Sequence, residues 1–507
     1  MFTSIKSMGL FGMHSYMVHV EIDISGGLPH FDIVGLPNTS VSEAKERVRS
    51  AIKNSGLTFP VSRITVNLAP ADTKKEGTVY DLPMLIAVLV ASHQIHSVPE
   101  TAAFIGELSL GGELRRVNGA LPMVIEAYNN GITDVFVPEE NAYECSVVEG
   151  IHVYPVKNIK QIVSHLEGKE KILPALYTPK EEVLETLLDF ADVKGQFEAK
   201  RAIEIAAAGG HNILLIGPPG SGKSMLAKRI STILPDMTFE ESLETTKIYS
   251  ISGKLSKDTP LITKRPFRSP HHTVSPVGLS GGGAIPKPGE ISLAHNGVLF
   301  LDELPEFART TMEIMRQPIE DGVISISRAQ ATVTYPCSVM LVCAMNPCPC
   351  GYYGHPTREC TCPRGSAERY LSKVSGPLLD RVDIHIEVPP VDFESLSDDE
   401  RGEKSADIKK RVNKARLIQQ KRLEGTGISC NAHMTASQTR EFCKLTDDAK
   451  DMLKVVFDRL SLSARAYDKI LRVARTIADL EASETVNEEH VAEAVQYRSL
   501  DRKFWGK

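Results

Sequence analysis

The chain has 507 residues, 42% hydrophobic and 24% charged, an ordinary globular mixture with room for two to four domains. Its formal net charge of -6 excludes a generically basic nucleic-acid binder, so any contact with DNA or RNA has to come from a local patch. Nine cysteines, an odd number, and a start that carries Glu21 and Asp23 without a small-residue cleavage pattern predict a reducing cytoplasm with thiols or a metal site, not a secreted disulfide framework.

Residues 1–165 alternate strand-like runs ("MVHVEIDI", "RITVNLAP", "DVFVPEE") with helical ones ("SVSEAKERVRSAIKNSG", "YDLPMLIAVLVASHQI"), which predicts a compact α/β or α+β unit. The longest apolar run, "LPMLIAVLVA" from Leu82, is too short to span a bilayer, and no membrane contact is expected. The stretch "NLAPADTKKEGTVYDLPMLIAVL" resembles the Lon-protease domain, of ribosomal S5-like fold. Hydrolysis on that fold needs a serine with a lysine to take its proton. Here Lys75 is followed by Glu76, Gly77, Thr78, Val79, Tyr80 and Asp81, and the second element reads Asn118, Gly119, Ala120, Leu121, Pro122. Both members of the dyad are missing, so a scaffold or DNA-contacting domain is expected and protease activity is not. Residues 166–191 are charged, hold Pro174 and Pro179, and read as a linker.

Residues 192–395 carry the chemistry. "GPPGSGKS", from Gly217 through Pro218, Pro219, Gly220, Ser221, Gly222 and Lys223 to Ser224, fits G-x-x-x-x-G-K-[ST] at every fixed position. It follows a buried strand, "NILLI", and opens a helix, "KSMLAKRISTIL". Glycines let backbone N–H groups curl around phosphates, and the helix adds the positive end of its dipole. Lys223 is expected at the β- and γ-phosphates of ATP and the Ser224 hydroxyl on Mg²⁺. "GVLFLDE" then delivers two acids to the C-terminal end of a buried strand, where open α/β sheets place ligands. Asp302 is expected on Mg²⁺, with Glu303 orienting and activating the attacking water. "VMLVCAMNP" is a third such strand, and its Asn346 is expected at the γ-phosphate or the lytic water.

Between these strands, "GVISISRAQATVTYP" reads as a hairpin turning at Arg328, Ala329 and Gln330. After Asn346 come Cys348, Cys350, Cys360 and Cys362: C-x-C, nine residues, C-x-C. Two readings stand for these. They form a structural Zn²⁺ site, for which the C-x-C pairs are tighter than usual and His355 is a spare ligand, or a set of reduced loop thiols. Cys337 and Cys343 lie in apolar runs and are expected in the core. His271 and His272 are expected to make loop hydrogen bonds. Residues 396–507 are helical and charged. In Lys404–Arg422 an apolar face of Ile408, Val412, Ala415 and Leu423 leaves a basic face that is either solvated or on DNA.

The three strand ends, with "SGPLLDRVDIHIEV" and "SARAYDKILRVARTIADL", resemble an AAA+ ATPase of the magnesium-chelatase/MCM branch. "RPFRSPHHT", "GGGAIPKPGEISLAHNGVLFLDELPEF", "QPIEDGVISISRA" and "AMNPCPCG" narrow the resemblance to the YifB/ComM family of magnesium-chelatase-like ATPases. The resemblance implies an AAA+ core with a helical lid at 396–507, and a homo-oligomeric ring, a hexamer, with ATP between subunits. Arg381 in "LLDRVD" matches the arginine finger that reaches a neighbour's γ-phosphate. Arg465 in "SAR" matches the second sensor arginine on the lid. The hairpin with Arg328 matches the channel hairpin that grips DNA phosphates, and "GLSGGGAIPKPG", with Lys287, a second channel insert. The family implies movement or remodelling of single-stranded or branched DNA, as in helicase action and branch migration during recombination or transformation. The competing reading is a chaperone-like remodeller of a protein partner, as in magnesium chelatase.

Overall fold

The computed structural model describes residues 1–178, 188–283, 286–327, 332–355, 357–391, 402–460 and 463–505. The chain forms two compact units. One comprises Met1–Glu182, Phe239–Ile262 and Ser325–Tyr335, and the other Val183–Thr238, Thr263–Ile324 and Pro336–Lys507.

In the first unit a seven-stranded sheet is built from β1 (Phe2–Phe11), β2 (His14–Ser25), β3 (His30–Val34), β4 (Arg63–Ala69), β5 (Ala102–Phe104), β6 (Asp134–Pro138) and β7 (His152–Val156). The order is β3-β4-β2-β1-β5-β6-β7. β2 runs antiparallel to β1 and β4, and the outer pairs are parallel. Helices α1 (Ala44–Asn54), α2 (Asp81–Ala91) and α3 (Ala120–Asn129) cover it. The run "LPMLIAVLVA" falls in α2, which is buried on nearly every side as the centre of this core. Its first residue, Asp81, is buried too and is held bidentately by Arg47 at 2.6 and 2.9 Å. Burial raises the Asp81 carboxyl, and the guanidinium opposes that rise. Val79, Leu121 and Pro122, which stand where the protease dyad is lost, are buried side chains with no nucleophile or base to offer.

The helix Phe239–Ser252 follows the phosphate-loop helix in sequence but packs with this first unit, against α3. Gly119 N donates to Ser250 O at 3.0 Å, and Leu261 is buried with Leu121 and Val147. A cut at 192 keeps this segment with the ATPase core. The structure instead buries its apolar side chains here.

The second unit holds a five-stranded sheet of β8 (Ile213–Ile216), β9 (Phe267–Arg268), β10 (Val298–Leu301), β13 (Met340–Met345) and β14 (Ile384–Glu387). A ribbon of β11 (Val323–Ser327) and β12 (Thr332–Pro336), most of which falls in the first unit, precedes β13 in sequence. The sheet is wholly parallel, in the order β9-β10-β13-β8-β14. Helices α4 (Phe197–Gly209), α5 (Lys223–Ile233), α6 (Ser405–Arg422), α7 (Ala464–Leu480) and α8 (Glu488–Gln496) pack on it. The C-terminal helices share one core with the sheet. Val412 and Ala415 of α6, and Ile470 and Ile477 of α7, join Ala202, Leu226, Ile213 and Val342. The basic face of α6 is largely paired within the unit. Lys409 meets Asp236 at 2.6 Å and Arg411 meets Glu204 at 2.6 Å. Arg416 donates to Ala208 O and Ala207 O, the last carbonyls of α4, at 3.1 and 3.2 Å. Among the described residues no helix is long and apolar enough to cross a membrane.

Candidate nucleotide-binding site

β8 is four fully buried aliphatic residues at the point where the strand order reverses, between β13 and β14. The chain leaves it at Gly217, where a Cβ would lie 2.2 Å from Val388 O, so only glycine fits. Gly220 (φ +78) and Gly222 (φ +90) take left-handed turns open to a residue without Cβ, and α5 starts at Lys223. The registers Ile216↔Met345 and Leu301↔Cys343 bring the ends of β8, β10 and β13 side by side.

Four of the expected residues therefore meet. Lys223 Nζ donates to Gly217 O and Pro218 O, both at 2.8 Å, and to Asn346 Oδ1 at 3.1 Å. Ser224 Oγ donates to Asp302 Oδ2 at 2.6 Å. Burial draws the Lys223 ammonium down to about 8, against the pull of Asp302. The ammonium is folded onto its own loop, where a triphosphate would offer better acceptors. The Ser224 hydroxyl and Asp302 carboxylate are two hard oxygen donors in contact, the donor set that Mg²⁺ takes.

Glu303 stands apart in conformation. Its backbone is left-handed (φ +52), which costs a non-glycine residue about 1–3 kcal/mol, and its side chain is 59% exposed. Its N–H bonds Asp302 Oδ1 at 2.9 Å, and His272 Nδ1 lies 3.4 Å from its carboxylate. A strained residue that turns a carboxylate out beside the Ser224–Asp302 oxygen pair has the placement a base for water needs. The sequence reading missed the His272 contact, which comes from a loop far away in the chain. The one signal was its neighbour: "HH" set two side chains at one turn, and His271 takes the local bond to Thr273 Oγ1 at 2.9 Å.

The arginines lie elsewhere. The Arg381 guanidinium pairs with Glu320 and donates to Arg316 O at 3.1 Å and Pro377 O at 2.7 Å. Arg381 and Arg465 line one cavity of about 640 Å³, and no residue of Gly217–Ser224 is among its described lining residues. Lys469 of α7, also missed in sequence, braces this turn: its ammonium donates to Asp380 O and to Val382 O (2.9 Å), the carbonyls on either side of Arg381. Burial brings Lys469 down to about 8, with Asp383 opposing at 3.6 Å. Lys469 and His211 in turn hold the Asp383 carboxyl far below its usual range, against its burial. Nothing in "YDKIL" distinguishes this lysine from a surface one.

The four loop cysteines converge. Sγ–Sγ separations are 3.4 Å (Cys348–Cys350), 3.7 Å (Cys348–Cys360) and 3.5 Å (Cys350–Cys360), and all four sulfurs lie within 4.8 Å of one another. Four thiolates at tetrahedral angles 2.3 Å from one Zn²⁺ would stand about 3.8 Å apart. Cys350 N also donates to Cys362 Sγ at 3.4 Å. His355 is used by the loop backbone, accepting from Arg358 N at 3.0 Å. Cys337 and Cys343 are buried, as expected. Lys287 is exposed and pairs in register with Gly282. Arg328 lies outside the described residues.

A glycine loop at the switch point of a parallel sheet, flanked by an acidic and an amide-tipped strand, defines a P-loop ATPase of the AAA+ class. Three family models match in sequence order. They are "Subunit ChlI of Mg-chelatase" over residues 20–141, "Magnesium chelatase, subunit ChlI" over 189–396, and "Magnesium chelatase, subunit ChlI C-terminal" over 402–498. The chain is 46% identical to the uncharacterized protein YifB of Escherichia coli (strain K12) over 503 residues, covering 98% of this chain and 97% of the relative. It is 44% identical to the competence protein ComM of Haemophilus influenzae over 505 residues, with the same coverage. A Lon protease of Acinetobacter baumannii matches 24% of this chain and 16% of its own length, at 30% identity over 132 residues. The chain belongs to the YifB/ComM family of magnesium-chelatase-like AAA+ proteins.

Proposed function

We propose that the chain is the subunit of a cytoplasmic hexameric ring that uses ATP and Mg²⁺ to move or remodel single-stranded or branched DNA. In this reading Lys223 and the N–H groups of Gly217–Ser224 hold the phosphates, while Ser224 and Asp302 would hold Mg²⁺. Glu303 orients and deprotonates the attacking water. Asn346 senses the γ-phosphate. Arg381 reaches the neighbour's nucleotide, which suits a cavity lined by no residue of its own phosphate loop, and Arg465 is the second sensor arginine on the lid. The four loop cysteines hold a structural Zn²⁺, whose four protein ligands leave no open position for catalysis.

One observation carries the choice of DNA. The β11–β12 ribbon runs directly into β13, and the end of β13 carries Asn346, 3.1 Å from Lys223. A change at the γ-phosphate is thereby one strand away from the turn that holds Arg328. The described arms of the ribbon alternate buried and exposed, with Ile324, Ile326, Val333 and Tyr335 inward. Arg328, with Lys287 from the glycine loop, contacts the DNA backbone. The name of the Haemophilus influenzae relative, a competence protein, favours the same reading.

Forked or single-stranded DNA should raise the ATPase rate of the purified chain several-fold. Phosphate contacts make log affinity fall with log salt, by about 0.7 per contact on single strands. Arg328→Ala should keep the DNA-independent rate, lose most of the stimulation and flatten that slope. A wild-type rate indifferent to every DNA tested would favour a protein partner instead, and an unchanged slope in Arg328→Ala would remove that residue from the interface.

A further inference from the structure

The cysteine loop and the phosphate loop touch. Gly351, one residue after Cys350, stands at φ +83 with its Cα face against Pro219; a Cβ there would lie 2.3 Å from Pro219 Cδ and 2.7 Å from Cγ. Gly351 N donates to Cys348 O at 3.0 Å, closing the turn that carries Cys348 and Cys350. At the other end of the same short segment, Asn346 accepts from Lys223 only two residues before Cys348, which is buried. The segment from Asn346 to Gly351 therefore touches the nucleotide site twice. It meets the lysine through an amide and the loop backbone through a proline ring. Cys360 and Cys362 lie nine or more residues beyond Gly351 and are joined to this turn by the sulfur cluster and the Cys350 N–Cys362 Sγ bond.

We propose that a thiophilic divalent metal on the four cysteines sets the conformation of the phosphate loop, so that metal occupancy controls nucleotide affinity. With the metal bound, the turn at Cys348–Gly351 is cross-linked to Cys360–Cys362 and presents a fixed surface to Pro219. It also holds Asn346 within reach of Lys223. Without it, the turn keeps its Gly351 N–Cys348 O bond and the backbone N–H···S contacts of the cluster but loses the cross-link to Cys360 and Cys362, and the backing of the phosphate loop loosens. The N–H groups that cradle phosphate act through geometry, so a shift of about 1 Å in their backing is enough to cost an order of magnitude or more. This inference rests on reading the four cysteines as a Zn²⁺ site.

The test uses the full purified chain and the fluorescent nucleotide mant-ADP with Mg²⁺, a binding readout that needs no hydrolysis. Zinc content is measured by elemental analysis. Affinity is then titrated before and after treatment with a chelator selective for Zn²⁺ over Mg²⁺, and again after zinc is restored. A second arm uses Gly351→Ala, which keeps all four cysteines but pushes a Cβ into Pro219. The expected result is one zinc per chain and a mant-ADP affinity that falls about tenfold on removal and returns with zinc. Gly351→Ala should retain zinc and show a comparable loss. If the chain carries no zinc and takes up none, the metal reading fails and the inference with it. If zinc is bound and removable, yet both the stripped protein and Gly351→Ala bind mant-ADP as wild type does, the metal site stands and the control of the phosphate loop is refuted. A stripped chain that loses its far-ultraviolet circular dichroism also refutes it, since the metal would then hold the whole core.

Discussion

Arg381→Ala separates what this arginine does for its own subunit from what it does for a neighbour. Within the subunit the guanidinium pairs with Glu320 and donates to Arg316 O and Pro377 O. Glu320 is 52% exposed, so the ion pair is largely solvated and contributes about 1 kcal/mol or less. Two carbonyls that lose a charged donor cost roughly 1–2 kcal/mol more. The total, about 2 kcal/mol, should lower the melting temperature by about 5 °C and leave the fold intact. Loss of an arginine finger costs about 10³–10⁵ in turnover. Nucleotide binding by isolated subunits should not change, because Arg381 lines a cavity with no phosphate-loop residue. The decisive assay mixes Arg381→Ala with Lys223→Ala, each inactive alone. In a ring of head-to-tail contacts at equal mixing, about a quarter of the interfaces join an intact phosphate loop to an intact arginine. About a quarter of the wild-type ATPase rate should therefore return. Mixed rings, verified by native mass spectrometry, that recover no activity would refute action across the interface. So would an Arg381→Ala protein that hydrolyses ATP normally.

Glu303→Gln should bind ATP and assemble but lose about 10²–10⁴ in hydrolysis rate, since Asp302 and Ser224 remain while the base is gone; a wild-type rate would remove Glu303 from the mechanism. Nucleotide affinity should depend on pH through Lys223, which sits at about 8 in the free site. Phosphate needs the ammonium, so above pH 8 binding must first take up a proton, and affinity should fall about fivefold between pH 8 and pH 9, with the dependence absent in Lys223→Ala. Asp479→Ala should destabilise the second unit by about 3–5 kcal/mol, read as a lower urea midpoint, because this buried carboxylate pairs with Arg422, meets Arg475 at 3.1 Å and accepts from Asn431 at 2.8 Å.

The nucleotide site was legible because its chemistry is local. A phosphate loop needs glycines at fixed offsets, and a strand end needs only its last residues, so Gly217–Ser224, Asp302, Glu303 and Asn346 can all be read from runs of fewer than ten letters. The parallel sheet then brings them together with no further information. What sequence did not carry was contact across long separations. His272 reaches Glu303 because a loop folds back over the end of β10. Lys469 braces Arg381 from a helix nearly ninety positions away, by donating to backbone carbonyls that any residue could supply. The helix Phe239–Ser252 shows the limit of domain boundaries drawn by composition. Its sequence carries no marked apolar face, with Ser242, Thr245, Thr246 and Ser250 among its buried residues, and its place is set by packing against α3. For the cysteines, spacing alone left free thiols and a metal site both open. The separations of the sulfurs add that the four side chains converge, which spacing could not show.

Both halves of the proposed active site are satisfied internally before they meet. Lys223 rests on the carbonyls of Gly217 and Pro218, Ser224 rests on Asp302, and Arg381 rests on Glu320. Each is a charged or polar group that would be costly to leave bare in a partly buried site, and each has a partner that a ligand can replace. The triphosphate takes Lys223 from two neutral carbonyls, a favourable exchange for an ammonium. On the proposed reading, a neighbour's γ-phosphate would take Arg381 from an exposed carboxylate, an exchange of one anion for another. Nucleotide binding on this reading replaces neutral partners of a cation within a single subunit, whereas engagement of the arginine replaces one anionic partner by another. A contact poised in that way can form and break once per hydrolysis cycle. On the same reading, the carboxylate that Arg381 would release and recapture is Glu320, three positions before β11.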